Sequence, residues 1–388
     1  MRNTSLLKMA CIAFAFCAVA VIASPAQTFN TLINFNGING FNPQAGLVQG
    51  ANGNFYGTAS RASGKEIGTV FEITPAGKLT TLHRFCTQTG CPDGSYPVDR
   101  LLLASNGRFY GTTTNGGAYG YGTVFEITAT GKLNTLYNFC AQSGCTDGAN
   151  PLAPLMQASN GNFYGTTYAG GAHSWGTVFE ITAAGKLHTI YSFCAKTNCG
   201  DGQYPHAGLT QASDGNFYGT TTEYTVNAGT IFRLTPNGQL TTIYTFEYGQ
   251  GNPLGGLLQA SDGSLYGTTQ QGGTYQNGMV FKITTAGAFT ELYGFNTPYG
   301  GAPVAGVVQG SDGNFYGTTS QLGAYNSGTV FQITPAGVLT TLHDFNDTDG
   351  AMPEGGLVQG TDGKFYGTTY QGGTNADGTV FSVSVGLQ

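Results

Sequence analysis

The residues best placed to move protons in this sequence are five histidines: His83, His173, His188, His206 and His343. His83, His188 and His343 fall in segments that read as outer strands, where the internal repeats put Tyr or His alike. That leaves His173 and His206 in loops, with Asp201 close by in the chain. General acid–base work needs such groups within hydrogen-bond reach, and no paired signature of nucleophile and base surrounds these three. Glu72, Glu126 and Glu180 share one repeat position that holds Arg233, Lys282, Gln332 and Ser382 in later copies. A position that changes sign between copies reads as a solvated rim. No Gly-rich phosphate loop leads into a helix. We expect no catalytic residue, no cofactor and no metal.

Binding chemistry is better represented. One loop slot carries Tyr119, His173, Tyr275, Tyr325, Asn375 and Lys65 in different copies. Tyr121 and Trp175 stand two residues further on, and a shorter loop supplies Tyr224. Aromatic rings with polar neighbours stack on sugar rings or apolar side chains. The plainer reading is that they cap neighbouring repeats. Asp93, Asp147, Asp201 and Asp349 precede glycines in another set of loops, with Asn39-Gly40 in the equivalent place. A ring of carboxylates can hold calcium, but Asp closing its own turn is the ordinary explanation. Gln49, Gln157, Gln211, Gln259, Gln309 and Gln359 recur in short apolar segments, with Leu103 breaking the set. A repeated amide points to hydrogen bonding between repeats, or else to a polar axial channel.

These positions need a frame, and the frame is a repeat. Phe-Tyr-Gly-Thr starts at Phe55, Phe109, Phe163, Phe217, Phe315 and Phe365, with Leu265 replacing Phe once, at spacings of 54, 54, 54, 48, 50 and 50 residues. Such a period marks one supersecondary unit repeated. In the sixth copy, residues 304–310, 314–319, 328–334 and 338–345 read as four strands rich in Val, Phe, Tyr and Thr. Asp312-Gly313 forms the first turn and Pro335-Ala336-Gly337 the third; Asn-Gly or Asp-Gly tolerates the positive φ of a tight hairpin. No segment beyond residue 26 shows a helical apolar period with caps. Residues 29–35 match a fourth strand yet precede every unit, while the last unit lacks its fourth strand. Joining the two closes a ring. The expected fold is all-β: a seven-bladed propeller of four-stranded antiparallel blades spanning 27–388, with blades beginning near Pro43, Pro97, Pro151, Pro205, Pro253, Pro303 and Pro353. Its short turns share one face. The variable loops share the other, where binding usually resides.

Residues 1–26 read as a signal peptide. Arg2 and Lys8 flank an apolar run from Met9 to Ile22, and Ser24-Pro25-Ala26 offers a cleavage site. Three pairs, Cys86/Cys91, Cys140/Cys145 and Cys194/Cys199, are expected to form local disulfides in an oxidising compartment; a Cys-x4-Cys spacing without histidine suits zinc poorly. Beyond Ala26 there are 12 basic and 20 acidic residues, a net charge of −8. That argues against nucleic acid and anionic membranes as partners. A monomer, exported to the periplasm or the extracellular space, is expected.

Units of the form GLVQG, SDG, NFYGTT, GTVFEIT, Pro-Ala-Gly and LTTLH resemble the GloVer (Gloeobacter–Verrucomicrobia) tandem-repeat family of exported bacterial proteins, over residues 29–385. The resemblance implies an extracytoplasmic repeat protein without catalytic residues to carry over. Many members carry a C-terminal sorting or anchoring segment; the chain shows none before Gln388, so release is the expectation. The leading functional expectation is a binding or scaffold propeller that recognises a glycan or a protein through its variable face. The alternative is a carbohydrate-active enzyme, a polysaccharide lyase or glycoside hydrolase, on the same frame.

Overall fold

The computed structural model describes residues 27–62, 67–222 and 228–387. The signal segment, Lys65 and Tyr224 lie outside the described residues. Seven four-stranded antiparallel sheets follow one another around the chain. Six are built from consecutive strands. In the seventh, Thr28–Asn34 pairs with Thr379–Ser384 as the missing fourth strand. Its register is that of every other blade. Phe381 faces Thr31 and Val380 faces Ile33, skipping Leu32, just as Phe331 faces Thr341 and Val330 faces His343, skipping Leu342. The chain thereby closes on itself.

Each blade buries both faces of its second strand, so Phe and Tyr of the Phe-Tyr-Gly-Thr motif work in opposite directions. Tyr56 packs on Phe109 with centroids 4.2 Å apart, Tyr316 on Phe365 at 3.9 Å, and Tyr366 on Phe55 at 4.0 Å across the closure. Where Leu265 replaces Phe, it shares a core cluster with Tyr218. A second layer joins the Phe after each fourth strand to the next blade's third strand, from Phe35–Phe71 at 5.3 Å round to Phe345–Phe381 at 5.2 Å. The motif glycine admits its own blade's ring: a Cβ on Gly317 would lie 2.6 Å from Phe331 Cζ. The motif threonine ties blades together. Thr268 Oγ1 donates to the Ala305 carbonyl at 2.9 Å, and Thr368 Oγ1 to that of Ala45 at 2.8 Å.

The first strands are shorter than the sequence suggests. In the sixth blade only Val308–Gln309 pairs, because the preceding residues give their carbonyls to the neighbouring blade's threonines. The repeated glutamines join blades as expected. Gln157 Oε1 accepts from the Ser105 amide at 2.9 Å and Gln49 Oε1 from that of Thr361 at 2.9 Å. His188 does not share the Tyr/His position; it stands opposite Glu180, while Tyr191 holds the place of His83.

The Glu72 position is also not a freely solvated rim. Glu72 accepts the Tyr56 hydroxyl at 2.8 Å and Glu180 that of Tyr164 at 2.8 Å. Where the third strand loses its Glu, the turn changes from Asn-Gly to Asp-Gly, and Asp214, Asp262, Asp312 and Asp362 take the hydroxyls of Tyr218, Tyr266, Tyr316 and Tyr366. The sign swap relocates one carboxylate within the blade. Burial, then the bond to Glu72, pushes the Tyr56 phenol up to about 12, and burial with Asp214 does the same for Tyr218. Burial works to raise Glu72, Asp262 and Asp362, but the hydrogen bonds they accept outweigh it and lower them. A phenol raised on folding adds stability below its unfolded value of about 10 that is lost as pH climbs towards 12; a lowered carboxyl adds stability above about 4 that is lost on acidification. Through these groups, urea midpoints should fall as pH climbs past about 10 and again on acidification below about 4. A midpoint that stays level through both ranges would contradict this.

Candidate functional site

The loops between second and third strands are held by hydrogen bonds on both sides of the aromatic slot. In the second blade the Gly117 amide donates to the Cys91 carbonyl at 2.8 Å, and the Ala118 amide to Asn138 Oδ1 at 2.8 Å. In the third, Gly171 and Ala172 bind Cys145 and Ser192 in the same way. Ala324 binds Asp344 at 2.8 Å and Thr374 binds Asn34 at 2.9 Å in the sixth and seventh. The residue after the slot adopts a left-handed φ: 84° at Gly120, 67° at Ser174, 64° at Gln276, 63° at Asn326 and 60° at Ala376. A non-glycine residue holds that conformation only where its surroundings over-determine it. The slot side chain is thus presented from a pre-set turn.

All three expected disulfides form: Cys86 with Cys91, Cys140 with Cys145, and Cys194 with Cys199. Two of their loops contain a short helical turn that has neither an apolar period nor a side-chain cap. Cys145 and Cys199 each end a single 3-10 turn, Ser143–Cys145 and Thr197–Cys199. The reason is local: the short covalent ring draws the chain tight, so the Cys145 amide reaches the Gln142 carbonyl at 2.9 Å and the Cys199 amide that of Lys196 at 3.0 Å. A turn this short needs no apolar period to announce it.

The Cys91 and Cys145 carbonyls hold the aromatic turns of the second and third blades, so the first two disulfides brace the face. The Cys199 carbonyl takes the Gly202 amide at 2.7 Å, as those of Cys91 and Cys145 take Gly94 and Gly148, each at 2.9 Å; residues 223–227, the aromatic loop of that blade, lie outside the described residues. In the seventh blade, which has no cysteines, the Asp347 carbonyl takes the Gly373 amide at 2.7 Å instead.

Tyr119, Tyr121, Tyr275 and Tyr325 keep 52, 44, 55 and 63 % of their surface exposed, and His173 is exposed as well. Trp175 is half-buried and packs edge-on against Tyr204 with centroids 4.8 Å apart, the arrangement of a cap. The sequence reading missed Ile38, Tyr248 and Tyr299, at 68, 75 and 45 % exposed, in the loops between blades. Aligning the inter-blade loops would have shown Tyr248 and Tyr299 standing in copies that lack cysteines. Of the exposed large apolar side chains described, Val338 alone lies on the other face.

The carboxylates of the inter-blade loops serve their own turns. Asp147 accepts the Tyr137 hydroxyl at 2.7 Å and the Ala141 amide at 2.9 Å; Asp201 accepts the Tyr191 hydroxyl at 2.7 Å and the Ala195 amide at 2.9 Å. Asp93 and Asp349 pair with His83 and His343, each at 2.9 Å. His206 sits edge-on to Tyr168 at 6.5 Å. Among the described residues no hydrogen bond joins His173, His206 and Asp201, and no group of three or more His, Cys, Asp or Glu side chains converges.

Between the fifth and sixth blades the same face opens into a cleft of about 190 Å3, lined by Gln270, Gln271, Gln276, Asn277, Ala302, Gln321 and Leu322. Gln276 and Asn277 come from the turn that presents Tyr275, and Leu322 from the turn that presents Tyr325. Gln270 is fixed by Asn252 Nδ2, which donates to its Oε1 at 2.8 Å. Ser60, Thr114, Tyr168, Thr222, Ser320 and Tyr370 stand at the position of Gln270 in the other blades, so the Gln270 amide belongs to this junction alone.

A family model described as the Gloeobacter/Verrucomicrobia repeat matches residues 18–227 and 214–386. A search of curated proteins finds no match. Among solved structures, the extracellular domain described for the hybrid two component system BT3049 from B. thetaiotaomicron superposes with a TM-score of 0.60 at 15% identity, covering 92% of this chain and 41% of that one. The corresponding domain of BT4673 gives 0.59 at 10% identity, covering 92% and 39%. The chain spans about two fifths of the length of these two structures. The periplasmic gluconolactonase PpgL of Pseudomonas aeruginosa gives 0.53 at 17% identity, covering 86% and 96%. At these identities the likeness is one of fold.

Proposed function

The chain belongs to the Gloeobacter/Verrucomicrobia repeat family, and from that premise we propose that it is an exported binding propeller whose variable face recognises a glycan. The observation that carries this reading is the amide-lined cleft between Tyr275 and Tyr325. Carbohydrate offers hydroxyl groups that both donate and accept, and an amide answers both. The C–H faces of a sugar ring present apolar surface to an exposed tyrosine. Tyr248, Tyr299 and Ile38 add exposed apolar side chains to the loops of the same face. The braced turns limit the ordering that binding would require.

The three disulfides and the fold shared with extracellular domains fit an exported protein. No helix among the described residues is long and apolar enough to cross a membrane. A protein ligand on the same tyrosines is the second occupant the rim supports, and pull-down separates it from a glycan.

The test is a glycan array and pull-down with purified protein, wild type against a Tyr275→Ala, Tyr325→Ala, Gln276→Ala variant. Loss of stacking and of one amide should weaken binding by about 2–4 kcal/mol, roughly thirty- to a thousandfold, with an unchanged melting temperature because these side chains are exposed. Absence of any glycan ligand, or equal binding by the variant, would remove this reading.

A further inference from the structure

Seven strand-approach segments meet at the propeller axis. A Cβ on Gly46 would lie 2.6 Å from the Gly356 carbonyl oxygen, and one on Gly208 would lie 2.9 Å from that of Pro154. Gly306 presses on the Gly256 carbonyl in the same manner, and Gly256 and Gly356 face the carbonyls of Gly208 and Gly306 at 3.8 and 3.9 Å. These contacts chain six blades into a collar. Repeat spacing puts Arg100 in the seventh place. The preceding residue is Ala or Gly in those six blades and Asp99 in the second. Six copies within one chain show what the collar holds: five glycines and Pro154, all uncharged. The second blade departs from this at two adjacent positions, and both departures carry charge.

The two charges are not spent on each other or on the frame. Among the described residues no ion pair joins Asp99 to Arg100, and Asp99 Oδ2 is buried without a hydrogen-bond partner. The Asp99 backbone does what its counterparts do: its carbonyl takes Thr58 Oγ1 at 3.0 Å. Arg100 is an exposed residue, and its guanidinium donates no hydrogen bond among the described residues. Yet burial lowers it, with only the Asp99 charge opposing, and burial raises the Asp99 carboxyl well above the usual range. A group that keeps its solvent exposure while protein surrounds it lines a narrow opening. A buried carboxyl oxygen without a partner costs stability, and the other blades avoid that cost with alanine or glycine.

We propose that Asp99 and Arg100 form an axial anion site that takes a small hydroxy-carboxylate, of which sugar acids are the natural size class. The planar guanidinium accepts a carboxylate through two parallel N–H···O bonds. Asp99 Oδ2 then hydrogen-bonds a hydroxyl of the same molecule, which satisfies the orphaned atom. The glycine collar admits only a small ligand. This site is separate from the cleft between the fifth and sixth blades and does not depend on it.

Isothermal titration of the purified protein tests this with D-galacturonate and D-gluconate as probes, and D-galactose and sodium sulfate as controls. Arg100→Gly and Asp99→Ala install residues that other blades already hold there, so both should fold, and Arg100→Gln serves as a second variant. Saturable binding of galacturonate or gluconate is expected, absent for galactose and weakened at least about tenfold by either Arg100 substitution. Asp99→Ala should weaken the sugar acids more than sulfate. No saturable binding of either acid at millimolar concentration, or equal binding by the Arg100 variants, overturns the site. Sulfate binding as tightly as the acids and indifferent to Asp99→Ala overturns the hydroxyl contact and leaves no hydroxy-acid site.

Discussion

A chain that lacks residues 27–35 is expected to lose its cooperative unfolding transition. That segment is the fourth strand of the last blade. It brings Phe29, stacked on His343 with centroids 3.5 Å apart, and Phe35, fully buried against Phe71 at 5.3 Å. Removing one buried Phe costs about 3–5 kcal/mol. That loss, the half-buried Phe29 and a full strand ladder together match the stability of a typical domain, about 5–15 kcal/mol. The exposed edge of Thr379–Ser384 would then recruit other strands, so aggregation should accompany the loss. A synthetic peptide of residues 27–36 should restore a monomeric, cooperatively melting species. Size-exclusion chromatography with thermal melts reads both outcomes. A truncated chain that melts like the wild type would mean the ring does not depend on its closing strand.

The second large effect belongs to the contact between Gly317 and Phe331, which face each other across two strands. Phe331 is fully buried and meets Phe295 of the preceding blade at 5.2 Å. Phe331→Ala should cost about 3–5 kcal/mol through lost burial and a cavity. Gly317→Ala should cost about 1–3 kcal/mol for the opposite reason, since its new methyl would lie 2.6 Å from the ring. The double variant should cost less than the two added together, because the methyl then occupies space the ring has left. Gly313→Ala is the control. Nothing lies within 4 Å of a Cβ there, and only its φ of +82° resists substitution, at about 1–2 kcal/mol. Urea unfolding of the four variants measures this. Strict additivity would show that the glycine is kept for a reason other than the ring.

Much of this architecture was legible because each contact is written seven times. The Phe-Tyr-Gly-Thr motif carries the inter-blade stack, and the orphan segment before the first unit announced the closure. What repetition could not reveal is what departs from it. Gln270, Gln271 and Gln321 lie in two different copies, and only the adjacency of the fifth and sixth blades makes them one cleft. Asp99 and Arg100 look like an ordinary loop variation until five glycines and Pro154 are seen to meet at the axis. Tyr248 and Tyr299 escaped notice because their loops differ in length from the cysteine loops they replace. The 3-10 turns at Cys145 and Cys199 are too short to leave a period in the sequence. The Glu72 position was misread because its partner change, Asn to Asp in the turn, lies 20 residues away and becomes neighbouring only across the hairpin.

The central claim is that one face of the ring binds and the other is frame. Paired alanine variants of the two faces test it most directly: Tyr119, Tyr275 and Tyr325 on the loop face, and Val338 with Thr340 on the turn side. Each would be assayed against whatever ligand the wild type captures. The account predicts that the first variant loses capture while the second keeps it, both melting near the wild-type temperature. Capture abolished by the Val338 and Thr340 variant and untouched by the tyrosine variant would contradict it.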